Sequence, residues 1–90
     1  MKARAQVTLY GNVKGVFFRS FIRSQAKLLS LRGWVRNTKT DSVEAVFEGD
    51  KDQIQEMIDS CQEGPPGARV GDVKVEWGDY SGNFATFDIR

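Results

Sequence analysis

The sequence predicts a two-layer α+β fold, and three observations carry that prediction. The hydrophobic period alternates between two and about 3.6 in the order strand, helix, strand, strand, helix, strand, strand. Capping or turn residues stand at most of the switches. The 90 residues suffice for one core, burying about 60–65% of the surface an unfolded chain exposes, and not for two.

Each element has its own warrant. Along Arg4 to Tyr10, Ala5, Val7 and Leu9 fall on one face and Gln6, Thr8 and Tyr10 on the other, the pattern of a half-buried strand. From Phe18 the spacing changes: Phe18, Ile22, Ala26 and Leu29 form one stripe, flanked by Phe21, Gln25 and Leu28, while Arg19, Arg23 and Lys27 share another face. A helix from Phe18 to about Ser30 follows. Gly33–Thr38 and Ser42–Gly49 are short, rich in aromatic and β-branched residues and separated by a polar turn, as in a hairpin. Asp50 is placed as an N-cap with Gln53 three residues on, and Ile54, Met57, Ile58 and Cys61 give the second helix its buried stripe. Gly64, Pro65 and Pro66 end that helix. Val73, Val75 and Trp77 make a strand, and Ala85, Phe87 and Ile89 a last one after the Gly78–Asn83 turn. The order βαββαβ is the split-βαβ, ferredoxin-like arrangement with an additional C-terminal strand: an antiparallel sheet, two helices on one face, and residues 1–90 as a single domain.

Composition removes several function classes. No apolar run nears the roughly 18 residues that span a bilayer, and the N-terminus lacks the apolar core of a secretory signal, so a membrane role is not expected. Cys61 is the one cysteine, which excludes an internal disulfide and fits the cytoplasm. With no histidine the usual zinc and copper ligand sets are missing, and neither metal nor cofactor is expected. Of the 13 basic residues, nine lie in residues 1–40, which contain no Asp or Glu; the remaining four share residues 41–90 with all 12 acids. That imbalance points to an anionic ligand served by the first half, unless the fold interleaves the halves and cancels their fields.

The stretch Tyr10–Phe21, YGNVKGVFFRSF, is where an anion would sit. A right-handed crossover puts the Gly11–Phe18 turn at the end of the sheet, above the N-terminus of the first helix. Unpaired N–H groups and the positive end of the helix dipole meet there, and glycines allow close backbone approach. Arg19 in a first helical turn is unfavourable by about 0.3–1 kcal/mol unless an anion reverses the sign, and its planar fork can hold two phosphate oxygens. Taken singly these residues are ordinary: Arg19 a solvated helix residue, Lys14 a loop lysine, Asn37 a hairpin turn residue.

Two runs change that balance. Gly11-Asn12-Val13-Lys14-Gly15-Val16-Phe17-Phe18-Arg19 resembles the G-x-V-Q-G-V-x-F-R signature of acylphosphatases, and Gly33-Trp34-Val35-Arg36-Asn37 resembles their G-W-V-x-N signature. The likeness continues through Val43–Gly49 and Gly64–Val70, so it covers nearly the whole chain. It implies a ferredoxin-like fold and hydrolysis of an acyl phosphate, a small-molecule substrate, to a carboxylate and inorganic phosphate. It further implies that Arg19 binds the phosphate with the backbone of Lys14, Gly15, Val16, Phe17 and Phe18, and that Asn37 positions the attacking water. Lys14 departs from the usual glutamine and adds charge to the cradle; Phe17 falls at the variable position and nothing is read into it. Ser30 and Ser42 stand where the family often has glycine, and a left-handed backbone at either would cost about 1 kcal/mol. No residue is assigned to the acyl group.

Two rival readings fit parts of the sequence. Lys14–Phe21 partly imitates an RNA-recognition signature, but it precedes the first helix where that signature belongs on the third strand, and nucleic acid is not expected. The other rival is a non-catalytic anion- or carbamoyl-phosphate-binding domain of the same fold, which normally serves attached domains. The expectation is a monomeric enzyme.

Overall fold

A computed structural model of the chain describes residues 1–13 and 16–90, with the backbone alone at Val16. The elements run β1 (Lys2–Asn12), α1 (Val16–Leu28), β2 (Arg32–Asn37), β3 (Ser42–Asp50), α2 (Lys51–Glu63), β4 (Arg69–Gly78) and β5 (Phe87–Ile89). They form a single sheet in the order β4-β1-β3-β2-β5, with α1 against β2 and β5 and α2 against β1, β3 and β4. The ferredoxin-like order holds. The first four strands are antiparallel, but β5 runs parallel to β2, pairing Gly33 with Phe87 and Val35 with Ile89, so the sheet is mixed and not antiparallel throughout.

The core lies between the sheet and the helices. Ala5, Val7 and Leu9 of β1, Val35 of β2 and Val43, Ala45 and Phe47 of β3 meet Phe18, Ile22 and Ala26 of α1 and Ile54, Met57, Ile58 and Cys61 of α2. Strand residues two apart share a face, so the alternation in β1 and the stripes of both helices predict this list directly. Asp50 caps α2 as expected, its Oδ1 accepting from the N–H of Asp52 at 3.1 Å, and Gly64 ends that helix at φ 71° with its N–H donating to Ser60. Helix α1 starts two residues earlier than Phe18, and Leu28 is exposed.

The end of α1 is a Schellman motif. Leu31 N–H donates to Ala26 O at 2.8 Å and Ser30 N–H to Lys27 O at 3.1 Å, which leaves Ser30 left-handed at φ 58°. The strain expected of serine at that position is therefore present. At Ser42 it is absent: the residue opens β3 without positive φ, buried, its hydroxyl against that of Thr38.

Glycine is compulsory at Gly33. Its φ is 140°, and a Cβ there would stand 1.9 Å from the carbonyl oxygen of Val46 in β3. The glycine opening the second signature is thus a condition of strand pairing.

Parallel pairing of β5 requires the chain to cross from one edge of the sheet to the other after β4. Glu48 pins that crossing. Its carboxylate accepts from the N–H and hydroxyl of Ser81 at 2.9 and 2.8 Å and from the N–H of Gly82 at 3.0 Å, with Arg4 at 3.6 Å. Burial alone raises the pKa of this carboxyl, but the Ser81 and Gly82 hydrogen bonds and the Arg4 charge outweigh it and hold the pKa below its ordinary value.

Candidate active site

The registers put the two candidate side chains at one end of the molecule. Asn37, last residue of β2, pairs with Val43 of β3, which in turn pairs with Leu9 near the end of β1; α1 begins a few residues beyond that end. Asn37 has the parity of Gly33 and Val35, both buried on the helix-covered side, so its side chain belongs to that side too. Arg19 lies in the first turn of α1, next to the core residue Phe18, and that turn contains no acid.

Both side chains carry an unsatisfied atom. Among the described residues, Arg19 Nε and Asn37 Oδ1 are buried without a hydrogen-bond partner. Native structures leave few such atoms, since each forfeits about 1–3 kcal/mol. One is a donor and the other an acceptor, each without a partner among the described residues. An oxyanion and a water molecule would satisfy them respectively.

The surroundings fix these positions. Gly11, at φ 121° where the β1–β4 register shifts, lies so close to β4 that a Cβ would stand 2.5 Å from Arg69 O and 2.7 Å from Gly71 N. This glycine shapes the strand leading into the cradle. Beyond Asn37, Thr38 N–H donates to Ser42 O at 3.0 Å and closes the β2–β3 turn. Of the expected cradle residues, Phe17 and Phe18 are in the first turn of α1, whose N–H groups lack carbonyl partners one turn back. The Val16 backbone joins that turn; Lys14 and Gly15 lie outside the described residues.

The fold partly cancels the charge imbalance. Arg36 makes a two-pronged contact with Glu44 at 2.7 and 3.0 Å, and Arg4 faces Glu48, both across adjacent strands. No ion pair of Arg19 is found among the described residues. Arg19, without an acid in its helical turn, therefore keeps its charge available to a ligand at the α1 N-terminus. Among the described residues no group of three or more Cys, Asp or Glu side chains is placed to hold a metal ion, and no helix is long and apolar enough to cross a membrane. Cys61 is buried in α2, which pushes its thiol up to about 12.

The described part of the Lys14–Phe21 run, residues 16–21, lies on α1 and not on a strand, and Phe18 is buried; the aromatic platform of an RNA-recognition sheet is not built from these residues. Sequence comparison agrees with the geometry. The family profile described as Acylphosphatase matches residues 5–89. The chain belongs to the acylphosphatase family. An acylphosphatase of Pelotomaculum thermopropionicum is 48% identical over 88 residues, covering 98% of this chain and 96% of the relative. The structure of an acylphosphatase from Coxiella burnetii superposes with a TM-score of 0.92 at 37% identity, covering 99% of this chain and 93% of that one. The family fold also occurs within a larger protein: full-length HypF in its phosphate- and nucleotide-bound form matches with a TM-score of 0.89 at 25% identity, over 100% of this chain but 12% of that one.

Glu48 as a structural acid is not legible in the sequence, nor is a residue for the acyl group. Glu48 sits inside a strand with Glu44, and its loop partners are more than 30 residues away.

Proposed function

We propose that this member of the family hydrolyses the carboxyl–phosphate bond of acyl phosphates by direct attack of water on phosphorus. The observation that carries the proposal is the complementary pair of unsatisfied buried atoms, Arg19 Nε as donor and Asn37 Oδ1 as acceptor. Arg19 binds the phosphate together with the free N–H groups at the start of α1, where the helix dipole adds to the attraction. Asn37 accepts a hydrogen bond from a water and turns its lone pair toward phosphorus. A carboxylate is a good leaving group, so positioning and electrostatic stabilisation of the equatorial oxygens supply most of what the reaction needs. No strong base is required, since a phosphate oxygen can take the proton of the water; the products are a carboxylate and inorganic phosphate. We place Lys14 and Gly15 in the same cradle by their position in the first signature. We further propose a monomer, because Arg19, Asn37 and the helix terminus come from one chain; the small-molecule reaction and the lone buried cysteine support action in the cytoplasm without nucleic acid.

The likeness to HypF favours a second reading, a phosphate-binding domain without turnover. The alignment with the Pelotomaculum acylphosphatase, which covers 98% of this chain and 96% of that relative, favours the enzyme. Benzoyl phosphate hydrolysis in excess chelator decides between them. Wild-type turnover is expected, with Arg19→Ala and Asn37→Ala each reducing kcat/KM by about 10²-fold or more, the scale of losing one electrostatic or positioning group. A folded wild type that binds phosphate and hydrolyses nothing would establish the second reading.

A further inference from the structure

Phe17 is 80% exposed, in the first turn of the helix that carries Arg19. It stands as a wall between two hollows. One, of about 250 Å³, lies between Asn12 and Phe18 on one side and Pro65–Ala68 on the other. The second, of about 390 Å³, continues past Phe17 along Phe21, with Pro65 and Pro66 again on its border.

Their position follows from the fold. Helix α2 runs back toward the site end over the β4–β1 half of the sheet, so the turn after it, which holds Pro65 and Pro66, flanks α1 on that half. Asn37 is on β2, in the other half. Residues 17 and 19 are about 200° apart around an α-helix, so Phe17 and Arg19 leave α1 on opposite sides. In phosphoryl transfer the attacking and leaving oxygens lie roughly in line through phosphorus. A water held on the β2 side sends the leaving carboxylate out on the side of Phe17 and the two prolines.

We infer that the groove between Phe17 and Pro65–Ala68 is the acyl-group subsite, and that Phe17 sets a preference for acyl phosphates bearing an aryl or other bulky apolar group over acetyl phosphate. The inference rests on the hydrolytic function proposed above. The leaving group is the carboxylate, whose C–O bond stays intact while the P–O bond to it breaks; an apolar substituent on that carboxylate rests on carbon-rich walls just outside the charged cradle. A methyl group is too short to use those walls.

The test is the ratio of kcat/KM for benzoyl phosphate to that for acetyl phosphate, in wild type, Phe17→Ala and Phe17→Tyr. The ratio cancels any effect on the phosphate, which both substrates share. Phe17→Ala is expected to lower it about tenfold, the size of one lost aromatic contact with its buried area, and Phe17→Tyr to keep it. An unchanged ratio in a Phe17→Ala protein that turns over both substrates overturns the inference and leaves the hydrolase standing. A wild type that turns over neither substrate overturns the hydrolase and this inference with it.

Discussion

Arg19→Met in the absence and presence of phosphate separates a ligand-binding arginine from a structural one. Arg19 Nε is buried with no partner, no ion pair of Arg19 is found among the described residues, and the residue as a whole is half-buried. An unsatisfied buried donor costs about 1–3 kcal/mol, reduced here because the rest of the guanidinium reaches solvent. Methionine keeps much of the apolar stem and removes the donor. In phosphate-free buffer the variant should be as stable as wild type or more stable by up to about 1 kcal/mol. Inorganic phosphate at about 100 times its Kd should stabilise wild type by about 2.7 kcal/mol, near 14 °C in Tm for a chain of this length, by linkage. Arg19→Met should lose most of that shift. Thermal unfolding by circular dichroism across a phosphate series reads both quantities. A variant destabilised by more than about 1 kcal/mol without phosphate, yet shifted by phosphate as far as wild type, would refute the reasoning.

Three further outcomes are expected. The pKa of Glu48 is lowered in the fold, so its stabilisation is present above the unfolded carboxyl pKa and is lost as pH falls through the folded value; Glu48→Gln should cost about 1–3 kcal/mol at pH 7 and flatten the acid limb of a denaturant-midpoint series from pH 7 to pH 3. Ser30→Gly removes a left-handed serine from the α1 Schellman motif and should raise stability by about 1 kcal/mol in urea unfolding, with turnover unchanged because the residue lies at the opposite end of α1 from the candidate site. Cys61, buried and with its thiol pushed up to about 12, should resist a thiol reagent at pH 8 in the native protein and react fully in denaturant.

The elements were legible because each has one clean period. The alternation in β1 and the Ile54-Met57-Ile58-Cys61 stripe of α2 name their own buried residues, and Asp50 and Gly64 mark where α2 starts and stops. The start of α1 was less so: Val16 and Phe17 precede the stripe, and an exposed Phe17 does not announce a helix. Which edge β5 joins, and in which direction, is defined by pairing with β2 and by a loop anchored on Glu48, contacts between residues more than 30 positions apart that local patterning does not encode. Ser30 and Ser42 show the same limit. The resemblance suggests a glycine at each, but only the backbone and the hydrogen bonds around them reveal that one is left-handed and the other is not. Arg19 and Asn37 stood out through the two signatures, whereas their unsatisfied atoms, and the groove beside Phe17, exist only once α1, β2 and the Pro65–Pro66 turn converge.

In the proposed reaction a water on the Asn37 side attacks phosphorus, not the carbonyl carbon. Hydrolysis of benzoyl phosphate by the enzyme in ¹⁸O-enriched water, followed by mass spectrometry of both products, tests it directly. Attack at phosphorus puts the label in inorganic phosphate and none in benzoate. Label in benzoate would mean attack at the carbonyl, and neither the phosphate role of Arg19 nor the placement of water by Asn37 would stand.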